Sequence, residues 1–137
     1  MKAIKILLIL FSVILIVSCN RDNNEESVQN PDVLTGTYTL RHFSPGFGPQ
    51  ETYNPNDIIW QFLPGKSLKV IVNTTTIPTN SQMPYTTSTT ATYTLTENNK
   101  VTIKEVVYDI SFIDGKLILN ADASADGKLI SLTKIEI

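Results

Sequence analysis

Apolar and polar residues alternate along most of the chain after position 35. In the segment TYTLRHF, Tyr38, Leu40 and His42 share one face of an extended strand and Phe43 lies on the other. The same period recurs in IIWQF, SLKVIV, ATYTL, YDISF and KLIL. A period of two is typical of β-strands that bury one face. The pattern predicts eight strands, at 36–43, 57–62, 67–73, 89–96, 100–104, 107–113, 116–120 and 128–136.

Turn-forming residues separate most of these strands. Pro64-Gly65 suits a type II turn, and Asn98-Asn99, Asp114-Gly115 and Asp126-Gly127 suit tight hairpins. The boundary at Lys104-Glu105 has no such residue. Short connections favour antiparallel neighbours, and closing the sheet removes its free edges. We therefore predict an all-β domain over residues 34–137, folded as an eight-stranded antiparallel up-and-down barrel.

Two connections are much longer than the others. The first, 44–56, carries three prolines and two glycines, and the second, 73–89, is rich in threonine and serine. Long loops on a small domain often carry its function. We predict that these two loops border any opening into the barrel.

The N-terminus has the composition of a secretory leader. Two lysines occupy residues 1–5, and an uncharged, apolar run of 12 residues follows at 6–17. A membrane-spanning helix needs about 20 such residues, so the run is too short to span. A basic start, a short apolar middle and the small residue Ser18 predict a signal peptide over residues 1–18.

The end of this leader resembles the bacterial lipobox, with Ile16-Val17-Ser18-Cys19 as the matching residues. The resemblance implies cleavage before Cys19, diacylglycerol on its sulfur and an acyl chain such as palmitate on the new amino group. Several acyl chains together anchor a protein stably. Cys19 is the sole cysteine, so it forms no internal disulfide. We expect membrane contact through acylated Cys19.

Residues 19–33 form the predicted lipidated cysteine and its acidic tether. The segment is too polar to bury a core, which predicts flexibility. Its acids, Asp22, Glu25 and Glu26, resemble the surface-export signals of Bacteroidetes lipoproteins. An aspartate directly after the cysteine would resemble an inner-membrane retention signal, and this chain has Asn20 at that position. These features predict attachment to the outer membrane, on either its periplasmic or its cell-surface face.

Size and charge exclude some classes of function. Removal of residues 1–18 leaves 119 residues, enough for one modest core. The formal charge then changes from −2 to −4, because two of the 11 basic residues are lost. A mildly acidic domain without a basic cluster does not fit nucleic-acid binding.

Several short motifs are similar to those of the lipocalin-like lipoproteins of Bacteroidetes. They are Gly36-Thr37-Tyr38, DIIWQF, ATYTL and ADGKLISLTKI, and the similarity spans residues 33–137. It implies a calycin-type barrel with a mouth at one end. Tyr38 stands where the familiar signature has tryptophan, and Lys134 is the matching basic residue that would cover its ring.

The inward-facing positions are the candidate ligand-lining residues. They are Tyr38, Leu40, Trp60, Phe62, Tyr93, Tyr108 and Phe112, with Phe43, Phe47, Tyr53 and Tyr85 expected near the mouth. An eight-stranded barrel is filled by its own side chains or holds one small ligand. The leading hypothesis is a small apolar or amphiphilic ligand. The alternative is a packed barrel whose long loops contact a protein or glycan partner.

The sequence shows no convincing catalytic, metal or cofactor motif. His42 is the sole histidine, and no group of acids accompanies it in sequence. Asp114 and Asp126 occur in Asp-Gly turns, where aspartate stabilises the backbone locally. A pairing of Glu105 with Asp109 is disfavoured because the alternation points Asp109 to solvent. We predict a protein without catalysis, metal or cofactor.

Overall fold

The computed structural model describes residues 33–74, 82–96, 99–122 and 127–136. These residues form nine strands and no helix: β1 (Gly36–Ser44), β2 (Glu51–Thr52), β3 (Ile58–Leu63), β4 (Ser67–Val72), β5 (Thr89–Thr96), β6 (Lys100–Ile103), β7 (Val106–Ile113), β8 (Lys116–Asn120) and β9 (Leu129–Lys134). All eight predicted strands are present, with ends within two residues of those expected. The two-residue β2 was not predicted. In the described ranges, no helix is long and apolar enough to cross a bilayer.

The sheet closes into the predicted up-and-down barrel. From β3 onward each strand pairs with the next one along the chain, β1 pairs with β3, and all pairings are antiparallel. The barrel closes because β9 returns to β1, where Lys134 lies opposite Tyr38 and Leu132 lies opposite Leu40. β2 is an addition to these eight strands and pairs with the second half of β1.

A β-bulge in β1 changes which side chains face the interior. The β1–β9 register shifts between Leu40 and His42, so Arg41 has no opposite residue on β9. An extra residue reverses the alternation beyond it. The prediction that His42 shares the face of Leu40 and that Phe43 lies opposite is therefore wrong, and Phe43 is fully buried. The Arg41 carbonyl accepts a 3.0 Å hydrogen bond from the Tyr53 N–H.

The tight turns follow the predicted positions. Asp114 and Gly115 have φ of +50° and +72°, as a two-residue type I′ hairpin requires. Lys104 and Glu105 have φ of +47° and +68° between the paired residues Ile103 and Val106. The predicted boundary there is thus confirmed, with a type I′ turn made without glycine. The predicted turn residues Asn98 and Asp126 lie outside the described residues.

The two ends of the barrel differ in their connections. At the loop end, as we call it, the chain passes from β1 to β3, from β4 to β5, from β6 to β7 and from β8 to β9. The opposite end is called the entry end. It contains the first residue of β1, the last residue of β9 and the turns that follow β3, β5 and β7. Both long connections of the sequence therefore belong to the loop end. Leu34, just before β1, is fully buried at the entry end.

Candidate functional site

Six of the seven candidate lining residues point into the barrel and are buried. They are Tyr38, Leu40, Trp60, Phe62, Tyr93 and Tyr108. Their strands place them there by simple alternation, as on β3, where Ile58, Trp60 and Phe62 are buried between more exposed neighbours. The bulge leaves Tyr38 and Leu40 unaffected because both precede it.

The aromatic rings of this set pack closely against one another. Phe62 contacts Tyr38 and Tyr93 edge-to-face, with centroid separations of 5.8 and 5.3 Å, and Trp60 lies 6.2 Å away. Such spacings are favourable for aromatic pairs. Side chains therefore occupy the part of the interior around Phe62.

Phe112 is the exception, and its predicted inward position is wrong. Its side chain is 51% exposed. Asp109 is the last β7 residue that pairs with β6, since β6 begins at its partner Lys100. The Ile110 N–H still donates a 2.7 Å hydrogen bond to the Asn99 carbonyl, and beyond it β7 is paired with β8 and extends past β6 at the entry end. Phe112 keeps the expected alternation but has no opposite wall to pack against.

The four expected mouth residues have different environments. Phe43 is buried by the bulge, and Tyr53 is buried with its hydroxyl donating to the Glu51 carboxylate. Tyr85 is partly buried and packs edge-on against Trp60, with ring centroids 6.1 Å apart. Phe47 is 81% exposed. Only Tyr85 therefore links the loop end directly to the interior aromatic cluster.

A cavity of about 370 Å³ lies beside this link at the loop end. Its walls come from residues 82–84, from the β6–β7 turn with Val106, from Lys128 and from Tyr108. The Lys104 ammonium donates a 3.0 Å hydrogen bond to the Pro84 carbonyl and lies 5.7 Å from the Tyr85 ring centroid. This lysine joins two walls of the cavity. The volume is near the lower limit for small-molecule sites, about 300 Å³.

Two inward-facing aromatic residues carry a buried polar group that has no protein partner among the described residues. They are Tyr108, whose side chain lines the cavity, through its hydroxyl and Trp60 through its indole nitrogen Nε1. Burial, and to a lesser extent nearby Tyr85, raises the pKa of Tyr108 to about 12. A tyrosine is protonated at neutral pH even without this shift, so the buried hydroxyl is a hydrogen-bond donor. An unpaired buried donor costs about 1–3 kcal/mol, so each is an anomaly in an otherwise apolar core.

Replacement of Tyr108 by phenylalanine tests this unpaired hydroxyl. We expect the free energy of unfolding at pH 7 to rise by about 1 kcal/mol in urea titrations, because an unsatisfied buried group is removed. The matched variant Tyr53→Phe loses a hydrogen bond to the Glu51 carboxylate, so its free energy of unfolding should fall by about 1–2 kcal/mol. A loss of stability in Tyr108→Phe would show that the hydroxyl has a partner.

The same variant has a distinct pH dependence. The raised folded-state pKa of Tyr108 contributes stability that is complete below the unfolded pKa near 10 and disappears as pH rises through about 12. Between these values wild-type protein should therefore lose more stability than Tyr108→Phe does.

The residues considered for catalysis are not assembled into a site. His42 Nδ1 lies 3.2 Å from Thr52 Oγ1 at the surface. Asp109 forms a 2.9 Å ion pair with Lys100, whereas Glu105 belongs to the turn at the loop end. In the part of the chain that the structure describes, no group of three histidine, cysteine or acidic side chains is placed to hold a metal. Cys19 lies outside that part.

Sequence reasoning missed most of the cavity wall. Val106 carried a usable signal, because it has the same parity as Tyr108 on β7. Met83 and Lys128 lie in connections, where no periodicity indicates which side chains turn inward. Met83 is nonetheless buried against the core.

The described barrel is compatible with a lipocalin-like, calycin-type fold. Its strand order and closure agree with those that the sequence motifs implied. No protein-family model matches the chain, and no curated protein is similar enough to be counted as a relative.

Proposed function

We propose that the protein is a lipid-anchored, lipocalin-like lipoprotein of the outer membrane that binds a small apolar or amphiphilic molecule without catalysis. The observation that carries the proposal is the loop-end cavity, whose wall includes Tyr108. A concave site of this volume, in which apolar side chains and polar groups converge, is a candidate ligand site.

The chemistry of the wall favours an amphiphilic ligand. Met83 and Val106 offer apolar surface, and charged groups reach the same cavity from Lys104, Glu105 and Lys128. The Tyr108 hydroxyl is a donor that the described protein atoms leave unused. In this proposal the ligand lies above Tyr108 and not among Tyr38, Phe62 and Tyr93, whose rings already contact one another.

The membrane anchor in this proposal is acylated Cys19. It is supported by the lipobox-like residues 16–19 and by the short apolar run before them. The face of the outer membrane stays open between periplasm and cell surface. No cofactor or metal is part of the proposal.

The absence of catalysis is supported by how the candidate groups are used. The Asp109 carboxylate is paired with Lys100, and the His42 ring bonds to Thr52 at the surface. In a general acid–base pair each group must reach the proton that it transfers to or from the substrate. Glu105 lies in the β6–β7 turn at the loop end, whereas the Asp109 carboxylate within β7 is paired with Lys100, which does not favour such a pair.

A cavity-filling variant tests the proposed ligand site. Val106→Phe places a ring in the cavity wall, and Val107→Phe is its matched control on the adjacent, 49% exposed position. We expect Val106→Phe to weaken binding of the apolar dye N-phenyl-1-naphthylamine at least about tenfold, since the cavity is close to the smallest useful volume. The measurement is fluorescence titration, with thermal melting to verify folding.

Two results would count against this site. Equal dye affinities in Val106→Phe and Val107→Phe would place binding elsewhere on the protein. Failure of folded wild-type protein to bind the dye, together with no co-purified ligand in native mass spectrometry, would remove the carrier function.

A second candidate function is an interaction lipoprotein with a packed barrel. The mutual contacts of the interior rings favour it, and so does Phe47, which is 81% exposed on a loop-end connection. An exposed phenylalanine at a loop tip is suited to contact a protein or glycan partner. Phe47→Ser would then abolish partner binding while leaving dye binding unchanged.

A further inference from the structure

Large exposed apolar side chains are unevenly distributed over the barrel. The described residues include six of them, and four lie at the entry end: Val33, Leu63, Phe112 and Ile113. Each is at a strand end or just before β1, beside the turns that define that end. Phe112 is exposed where β7 extends beyond its pairing with β6, whereas Ile113 and Leu63 have outward-facing positions on their strands. Exposed apolar groups therefore lie around the entry end of the barrel.

Lysines occupy the same end. Lys66 lies in the turn after β3, Lys100 and Lys116 begin β6 and β8, and Lys134 ends β9. Lysine side chains lay their aliphatic part along apolar surface and extend their ammonium groups into water or lipid headgroups. Acidic residues are present at this end as well, since Asp114 lies in the turn after β7 and Lys100 is paired with Asp109. Exposed apolar side chains beside lysines are nonetheless groups that surfaces use at a membrane interface.

The chain reaches the barrel at this end. Residue 33 lies three positions before the first residue of β1, and only 13 residues separate it from Cys19. Even fully extended, that connection spans at most about 50 Å. An acyl anchor at Cys19 therefore keeps the entry end near the bilayer, where a weak surface contact has a high effective concentration.

We propose that the entry end of the barrel rests on the lipid bilayer through Val33, Leu63, Phe112 and Ile113. The inference rests on the acylated Cys19 of the proposed function. It extends that function because it adds a contact between the barrel itself and the bilayer to the contact through the acyl chains. The loop end with its cavity then points away from the bilayer, toward the aqueous phase.

Site-directed spin labelling of the full-length, acylated protein tests this contact. Acylation leaves Cys19 without a free thiol, so one introduced cysteine is labelled selectively. Ile113→Cys and Val107→Cys form a matched pair, because they lie on the same face of β7, are 55% and 49% exposed, and are about 20 Å apart along the strand. Leu63→Cys samples the opposite side of the entry end.

The labelled proteins are reconstituted in vesicles of phosphatidylethanolamine and phosphatidylglycerol. We expect collisions with oxygen, relative to those with a water-soluble nickel complex, to rise at least about threefold at positions 113 and 63, because oxygen concentrates in lipid. Position 107 should be unchanged.

The outcomes separate the contact from the anchor. Equal water exposure at 113 and 107 in protein that floats with the vesicles would overturn the contact and leave the anchor intact. A rise at 107 but not at 113 would reverse the orientation and overturn the contact too. Protein that does not float would overturn the acylated anchor and the contact together.

Discussion

Replacement of Trp60 by alanine is expected to lower the free energy of unfolding by about 3–5 kcal/mol. Trp60 is completely buried and contacts both Phe62 and Tyr85. It lies at the centre of β3, opposite Tyr38 on one side and Val70 on the other. The surrounding strands are held in a closed barrel and cannot collapse fully into the space that the indole leaves. Since small domains are stable by only about 5–15 kcal/mol, this loss is a large part of the total.

The control for this prediction is Phe112→Ala. Alternation assigns Trp60 and Phe112 to the same interior, but Phe112 is half exposed and should lose less than about 1 kcal/mol. Urea unfolding of both variants at pH 7 gives the comparison. A loss below about 1.5 kcal/mol for Trp60→Ala would indicate that the indole lines an open space and not a packed core.

The sequence was a good guide to the strands because burial on one face imposes a period of two. Residues such as Trp60 and Phe62 on β3 or Leu117 and Leu119 on β8 follow it without interruption. The turns were also predictable where Asp114, Gly115 and Gly65 supply residues that accept positive φ. The Lys104-Glu105 turn lacks glycine, and across it the buried positions change from odd numbers, Val101 and Ile103, to the even number of Tyr108.

The errors arose where position depends on contacts between distant segments. The bulge at Arg41 is set by how β1 pairs with β9, more than 80 residues away, and it reversed His42 and Phe43. The exposure of Phe112 depends on the length of β6 relative to β7. Neither quantity is encoded in the local pattern of either strand. Loop residues such as Met83 are harder still, because no period relates them to the core.

Of the described residues that line the cavity, only Tyr108 was predicted from the sequence as a lining residue. Alternation identified Tyr108 and Trp60 as inward-facing, but the contact distances show that the neighbouring rings fill the space beside them. Whether a barrel of eight strands is filled or hollow depends on the summed volumes of its side chains. The cavity occurs where that filling ends, against residues 82–84 and the β6–β7 turn.

The two ends of the barrel give the proposals a common geometry. The cavity belongs to the loop end, and the exposed apolar rim belongs to the entry end, from which the chain leads back to Cys19. A ligand site and a membrane contact at opposite ends do not compete for surface. The entire arrangement depends on the lipid anchor, which makes Cys19 the most informative single residue outside the barrel.

Replacement of Cys19 by alanine is expected to abolish acylation completely, because the variant has no thiol left to modify. The measurements are incorporation of labelled palmitate and the intact mass of the mature protein. Each buried CH₂ of an acyl chain contributes about 0.8 kcal/mol to membrane binding, so loss of all the chains removes stable anchoring. Ser18→Ala is the matched control, since alanine is also small and should preserve processing.

Release from the membrane needs a second variant, because an uncleaved leader retains its own apolar run of 12 residues. In this variant residues 1–18 are exchanged for the leader of a secreted, non-acylated protein, and Cys19→Ala is kept. We expect it to move almost wholly into the soluble fraction, because the entry-end contact by itself buries only a few partly exposed side chains. If Cys19→Ala still incorporated palmitate, or if the leader-exchanged variant stayed with the membranes, the acylated cysteine would not be the anchor.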